Sequence, residues 1–534
     1  MMKLFLKQYG LFLGGIIALF FIYGFHEILF LRPQSIHQWR QTDCLQIAHN
    51  YLTDSWNFFS PSIHNLFSDN ETTGKTIGEF PLLYYIVAML WKIFGEHEFI
   101  YRLVNLAVFY AGLFCLFNTL KDLYKNVFWS TIIVLFLFTS PILVFYSNNF
   151  LTNTTAFGLV LIGWRFFYKY YQTKKRKHFV YFILFFTLAG LLKMTAYISF
   201  ILVGAFCVND LFRIYFLKKQ PYFFYKKLYS VIPFLLSVSV LFLWYLYGHV
   251  FNSRHGGKYT FNDLWPIWEM KDGHLEKIEV FVREILIHQI FNKFSLLIIL
   301  VMAIYLFLKI KTINKFISST LILLVLGVFT YILFWFQALD AHDYYLINLM
   351  LLPLFIVVGS FWHIKEKHPA FLKSKTVKII GLVFLFFNVA YASNNIHMRY
   401  WGPFKYSDKY AKYFCDKSEI DFWWWTGSQN PLKDLNDIEP YNRSIGIKAE
   451  DRVAFIPDNS FGASLYLMNQ KGWTTGFGIE NTLEPSVSIK NKVENKKLKY
   501  LVIRDSLSLE KEYLKEFLFN HIGQHNGINI YKLD

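Results

Sequence analysis

Several polar clusters interrupt an otherwise apolar chain, and their residue types suit chemistry. The first reads Ile36-His37-Gln38-Trp39-Arg40-Gln41-Thr42-Asp43-Cys44-Leu45-Gln46-Ile47-Ala48-His49-Asn50-Tyr51. Leu45, Ile47, Ala48 and Tyr51 suit an amphipathic helix with Asp43 near its start. A carboxylate there is favoured by the helix dipole, so Asp43 is either a helix-stabilising residue or a reactive one. Glu79 allows the same two readings: ahead of Pro81, it is a solvated helix-start residue or a functional carboxylate. Lys193 interrupts the apolar stretch Phe179–Phe212 near an outward turn. An ionisable group there is costly and favours a functional cation over a snorkelling one. His342-Asp343-Tyr344-Tyr345 opens another apolar run and suits a phosphate headgroup or an aromatic belt. Arg254-His255-Gly256-Gly257-Lys258 is a basic patch, either an anion site or a solvated loop.

The elements that position these groups are read from composition. Of 534 residues, 54% are hydrophobic, 20% aromatic and only 17% charged, below the quarter usual in soluble domains. Apolar runs near span length recur: Leu11–Phe30, Val127–Tyr146, Val231–Val250, Phe316–Trp335 and Tyr345–Trp362. A bilayer offers no water to the backbone, so such runs form helices. The net charge of +17 gathers in short loops between runs, which argues for a positive-inside membrane protein and against nucleic acid binding. Cys44, Cys115, Cys207 and Cys415 show no CxxC spacing, though a Cys44–Cys415 bridge is open if both face outward. Leu11–Phe30 is too long for a signal peptide and reads as an uncleaved first span.

Lys3 and Lys7 place the N-terminus in the cytoplasm. After the first span, Arg32–Gly78 lies outside and the aromatic Phe80–Phe94 lies along the interface. Phe99–Leu120 then returns to Lys121 and Lys125, Val127–Tyr146 exits, and Thr155–Tyr170 comes back to Lys174, Lys175, Arg176 and Lys177. Phe179–Leu192 exits, Thr195–Phe212 returns, and Val231–Val250 leads to a second outer stretch, Phe251–Gln289. Leu296–Leu308, Phe316–Trp335, Tyr345–Trp362 and Ile379–Tyr391 complete about eleven spans, with every Lys-rich loop on one side. Asp43, Glu79, Lys193 and His342 then fall on the other side, with the C-terminal region. Residues 1–394 are expected to be the membrane domain and 395–534 an extracytoplasmic one. In the latter, Arg452–Ile456, Lys499–Ile503 and Ile528–Leu533 read as strands, with helices over Phe461–Asn469 and Leu509–Asn520, giving a small α/β domain. Gly476-Phe477-Gly478 is only a fragment of a nucleotide fingerprint.

At these residues the sequence resembles the bacterial GT-C glycosyltransferases, in pattern nearest the protein O-mannosyltransferases and the lipid A aminoarabinose transferase. The resemblance rests on His37–Tyr51, Asn57-Phe58-Phe59 with Pro61, Glu79-Phe80-Pro81 with Tyr84-Tyr85, Gly95, Tyr101-Arg102, Lys193 with Thr195, and His342–Tyr345 before Pro353. It covers residues 1–395. It implies a polytopic α-helical fold, catalysis on the outer face and a polyprenyl-phosphate sugar donor. Asp43 would be the catalytic base, with Glu79 orienting acceptor or sugar. Lys193, Arg102, His342 and Arg254 would receive the leaving phosphate, with Tyr344 and Tyr345 bordering it. His37, Trp39, Arg40 and Asn153 would bind substrate. Asn153 departs from the pattern, since members often carry an acid there, and an amide binds sugar hydroxyls without acting as a base.

The C-terminal region lies outside the resemblance. Trp423-Trp424-Trp425 would stack on sugar or bury at an interface. The implied partners are the lipid-linked sugar, a cell-envelope acceptor and membrane lipids, with no nucleic acid. No spacing names a cofactor, although Asp43, His37 and Glu79 leave a divalent metal open. A flippase of lipid-linked glycans and a non-catalytic scaffold are the competing classes, but no internal repeat of the transporter kind is found.

Overall fold

The computed structural model describes residues 2–212, 224, 227–258, 264–405, 417, 419–422 and 432–533. Cys415 and Trp423-Trp424-Trp425, considered above for a disulfide and for stacking, lie outside the described residues. By contacts the chain forms two compact units. One is Met1–Leu29, Arg102–Leu243 and Leu264–Trp425; the other is Phe30–Tyr101, Trp244–Asp263 and Thr426–Asp534.

The first unit is helical. Across the whole chain, seven described helices are long and apolar enough to cross a membrane, or up to nine if two bent pairs each count as one span. That is fewer than the eleven expected. The two others, Asn153–Thr173 and Arg176–Leu192, are helices, but the first carries Arg165 and Lys169 and the second has 17 residues. Val127–Tyr146 is not one rod: Val127–Leu137 and Pro141–Ser147 meet at 78°. Pro141 sits at the start of the second piece, where its missing N–H costs nothing. The outer stretch expected over Phe251–Gln289 is also partly helical, because His274–Ile290 joins Lys293–Leu308 at 80°. The last span is longer than its apolar centre: the helix runs from Lys375 to Lys405, so residues 394 and 395 lie within it. Gly112 and Gly158 let the helices Glu98–Tyr124 and Asn153–Thr173 touch at the backbone; a Cβ on Gly158 would stand 2.7 Å from the Val108 carbonyl oxygen.

The second unit is built on a five-stranded sheet, ordered β2-β1-β3-β5-β4. The strands are β1 (Arg452–Ile456), β2 (Lys471–Thr474), β3 (Leu498–Ile503), β4 (His521–His525) and β5 (Ile528–Lys532). β1 pairs in parallel with β2 and β3, and β5 pairs antiparallel with β3 and β4. β1, β3 and β5 match the expected strands. β2 and β4 each hold a glycine, which hides them from a reading by pattern. The helix expected over Leu509–Asn520 is instead a turn of helix, Ser506–Leu509, and a 3₁₀ segment, Glu512–Phe517. Trp473, Ile456, Leu501, Ile503 and Ile489 form the core, and Leu66 from the first outer stretch is part of it. Asn65 bridges to Gly472 on β2, and the Gly472 N–H donates to the His64 carbonyl at 3.1 Å. Any side chain at Gly472 would strike the Val453 carbonyl oxygen, at 1.7 Å from an added Cβ. The segment around His64 and Asn65 is thereby built onto the β2 edge of the sheet.

Candidate active site

In the second unit, the helix Gln38–Thr53 carries Asp43. Its N-cap is His37, held in the left-handed region at φ 59°, an uncommon conformation for a side chain of that size. The preceding loop is laced to the helix: Gln38 Nε2 donates to the Pro33 carbonyl, and Gln41 Nε2 to those of Gln34 and Ile36. Asp43 is the sixth helical residue, beyond the first turn where the dipole acts, so helix-start stabilisation does not account for it. Nor is the helix amphipathic. Every residue from Arg40 to Tyr51 is buried, and only Trp39 is exposed in that first part of the helix.

Asp43 is fully buried and held on both sides. Gln46 Nε2 donates to its Oδ1 at 2.8 Å, while Gln46 Oε1 accepts the His64 backbone N–H. Arg40 Nη1 lies 3.4 Å from its Oδ2. The other arm of Arg40, Nη2, contacts Glu79 Oε1 at 2.6 Å, and the Tyr84 hydroxyl donates to Glu79 Oε2 at 2.6 Å. Glu79 reaches this position because the chain turns at Pro81 into the helix Leu82–Phe94. That helix is about 20 Å long by its rise, short of the ~30 Å apolar core of a bilayer. Arg40 thus bridges the two carboxylates as a trio where water is scarce. Cys44 adds no charge, since burial pushes its thiol up to about 11. It is a free thiol near the Tyr84 hydroxyl. Sequence reading missed Gln46, Tyr84 as a carboxylate partner, and His64. Gln46 sits at i+3 from Asp43, a helical neighbour spacing that marks it in hindsight.

His64 is buried in the same unit, and its ring is held well below the usual histidine range by burial, then by His49 and Lys471, against a bond to Asn469. The native state therefore keeps it neutral, while an unfolded chain protonates near pH 6.5. Stability is intact above that pH and falls as pH drops below it, by up to about 1.4 kcal/mol per pH unit. Melting of the purified protein between pH 7.5 and 5.5 should show this loss, and His64→Gln should flatten it. An unchanged slope in His64→Gln would assign the acid sensitivity elsewhere.

In the first unit a second group gathers. Lys193 ends the helix Arg176–Leu192 in extended backbone, and its Nζ lies 5.8 Å from the Tyr344 ring centroid. Asn153 Nδ2 donates to the Tyr344 carbonyl at 3.2 Å, and Asn348 Nδ2 donates to Thr195 Oγ1 at 2.8 Å. His342 packs its ring on Tyr344 and Tyr345, with centroids 5.6 and 5.7 Å away. Lys193, Asn153, His342, Tyr344 and Tyr345 are thus one neighbourhood. Arg102 is set apart on the helix Glu98–Tyr124 and reaches the turn before Asn153: fully buried, it donates to the Asn148 carbonyl at 2.5 Å and covers the Phe150 ring at 4.1 Å. Its geometry braces that turn. Arg254 belongs to the second unit, exposed at the end of a helix beside His255, which pairs with Asp69 at 2.7 Å. Beneath Tyr344, Asp343 accepts the Tyr146 hydroxyl at 2.5 Å and lies 3.9 Å from buried Arg399. Arg399 donates onward to Asn395, which donates to Glu419. Sequence reading did not single out Arg399, which lies in a mostly apolar helix with its ion-pair partner Asp343 tens of residues away. Among the described residues, no three His, Cys, Asp or Glu side chains group as metal ligands.

No family model matches the sequence, and no curated protein does. Solved structures do match by fold. ArnT from Cupriavidus metallidurans in the apo state aligns with a TM-score of 0.56 at 11% identity over 98% of each chain. The same protein bound to undecaprenyl phosphate aligns at 0.59, with 12% identity, again over 98% of each chain. The arabinofuranosyltransferase AftD from Mycobacteria aligns at 0.53 and 12% identity, over 98% of this chain and 40% of that one. The chain is a multi-pass membrane protein with the fold of the GT-C glycosyltransferases, the group its ordered polar clusters resemble.

Proposed function

We propose that this protein is an inverting glycosyltransferase. It moves a sugar from a polyprenyl-phosphate donor to a cell-envelope acceptor on the outer face of a bacterial cytoplasmic membrane. The N-terminus is then cytoplasmic and the sheet-bearing unit extracytoplasmic. The observation that carries this reading is the buried Asp43, fixed by Gln46 and by an arginine it shares with Glu79. The fold shared with a protein solved with undecaprenyl phosphate supports the donor class.

In this reaction the acceptor hydroxyl oxygen attacks the anomeric carbon from the face opposite the phosphate. The new C–O bond forms as the bond to the lipid phosphate breaks, and the electron pair leaves on the phosphate oxygen. The hydroxyl proton passes to the Asp43 carboxylate. Glu79 orients the acceptor or sugar, and His37, Trp39 and Asn153 contribute to binding. Lys193 and His342, with Tyr344 and Tyr345 beside them, meet the charge that grows on the phosphate. Arg102 acts by bracing the turn before Asn153.

The experiment is transfer of a labelled sugar from a polyprenyl-phosphate donor to envelope acceptor by the purified protein in lipid. Lys193→Ala should lower kcat/KM for the donor about 10²- to 10³-fold, the usual loss for one donor to a developing oxyanion. Lys193→Arg should restore part of it. Label that crosses the membrane but stays on the lipid would identify a flippase and reject the transferase reading.

A further inference from the structure

Within the first unit, the helices Glu98–Tyr124, Asn153–Thr173, Lys315–Phe334 and Leu351–Lys367 enclose a cavity of about 150 Å³. None of its lining residues has a role in the reaction proposed above. Its wall follows the last helix from Leu351 to Trp362, about 16 Å of helical rise. Leu120, Leu161, Phe167, Phe355 and Val358 make it apolar over most of that length. Water gains little in such a space, since it finds few polar partners. Left empty, the lining forfeits its dispersion contacts. In a bilayer the abundant filler is a hydrocarbon chain.

One end of the cavity is different. It is reached where the four helices carry their lysines: Lys121 and Lys169 near two C-terminal ends, Lys315 at a start, Lys365 at the fourth end. Two cations lie against rings that line the cavity. Lys365 Nζ lies 5.6 Å from the Trp362 centroid while donating to the Leu123 carbonyl at 2.9 Å. Lys174 Nζ lies 5.0 Å from the Tyr171 centroid. Of the nearby acids, Asp122 is already held by Arg165 at 2.6 Å, buried Asp210 faces Lys174, and Glu366 is exposed. Trp362 Nε1 is buried, and among the described residues it has no hydrogen-bond acceptor. An apolar slot that ends in an unmatched N–H donor and an excess of lysine fits an amphiphile with an anionic head.

We propose that this slot holds one acyl chain of an anionic glycerophospholipid from the leaflet bordering the lysine-rich helix ends, with its phosphate region at Trp362 and Lys365. The proposal is independent of the transferase reading. The test uses the full chain purified in a mild detergent, probed by native mass spectrometry with phosphatidylglycerol and phosphatidylcholine. Phosphatidylglycerol should be retained and phosphatidylcholine should not. Thr119→Trp, which fills the slot from a half-buried position, should abolish retention. Lys365→Gln should weaken it about fivefold, the effect of about 1 kcal/mol for one lysine near a membrane surface. Equal retention of both lipids, or retention unchanged in Thr119→Trp, would overturn the proposal. Displacement of phosphatidylglycerol from the slot by a polyprenyl phosphate at equal concentration would overturn it too, by making the slot a carrier-lipid site. Melting of each variant without added lipid separates a lost site from a lost fold.

Discussion

Asp43→Asn is expected to lower turnover of a polyprenyl-phosphate sugar by about 10³-fold or more, within the range that removal of a general base costs. The substitution keeps size and removes both the charge and the proton-accepting oxygen. It does so where geometry is least forgiving. Gln46 Nε2 fixes one oxygen, so the new amide must turn its own oxygen there to keep that bond. Its NH₂ then faces Arg40 Nη1, donor against donor, where a carboxylate stood 3.4 Å away. That mismatch should cost about 1–3 kcal/mol, the penalty for a buried group left unsatisfied. The effects separate in one experiment: kcat falls by orders of magnitude while the melting temperature falls by a few degrees, and donor retention persists. Asp43→Asn with wild-type transfer would remove Asp43 as the base and leave Glu79 as the carboxylate to test.

The membrane half of this fold was legible because the bilayer imposes a coarse code. Long apolar runs, and lysines in the loops between them, give the helices and their order with little dependence on distant residues. Breaks within runs were less legible. The bend at Thr139-Ser140 before Pro141 occurs inside a run of span length that averaged hydropathy reads as one helix. The candidate site was readable as single residues but not as an assembly. Lys193 stands out as charge inside an apolar stretch, where charge is costly, whereas Asp43 and Glu79 stand at expected helix starts, where a bland reading competes. That Arg40 is shared by Asp43 and Glu79 depends on 39 residues of intervening chain and could not be read from spacing. The seam between Asn65 and Gly472 was least legible, because its partners are some 400 residues apart and β2 is a four-residue strand. A domain boundary sought in composition cannot register that the segment around Asn65 completes the edge of a sheet near the other end of the chain.

Removing the shared cation should have the second large effect, and for a different reason. In Arg40→Met, Asp43 and Glu79 lose the guanidinium between them; their side chains are 0% and 9% exposed. Breaking a buried ion pair by deleting one partner costs about 3–5 kcal/mol, because the remaining charge stays desolvated. Here two like charges remain. Melting of Arg40→Met at neutral pH should therefore fall well below that of the wild type, and transfer should fall with it, since Asp43 loses a contact that orients it. Arg40→Met combined with Glu79→Gln supplies the control. With one of the two buried carboxylates neutralised, part of the lost stability should return, and the coupling between the two changes should exceed about 0.5 kcal/mol, as for residues in direct contact. Additive changes, or an Arg40→Met variant as stable as the wild type, would mean that Arg40 does not hold the two carboxylates as one unit. The assignment of Asp43 as a base set by that trio would then fail.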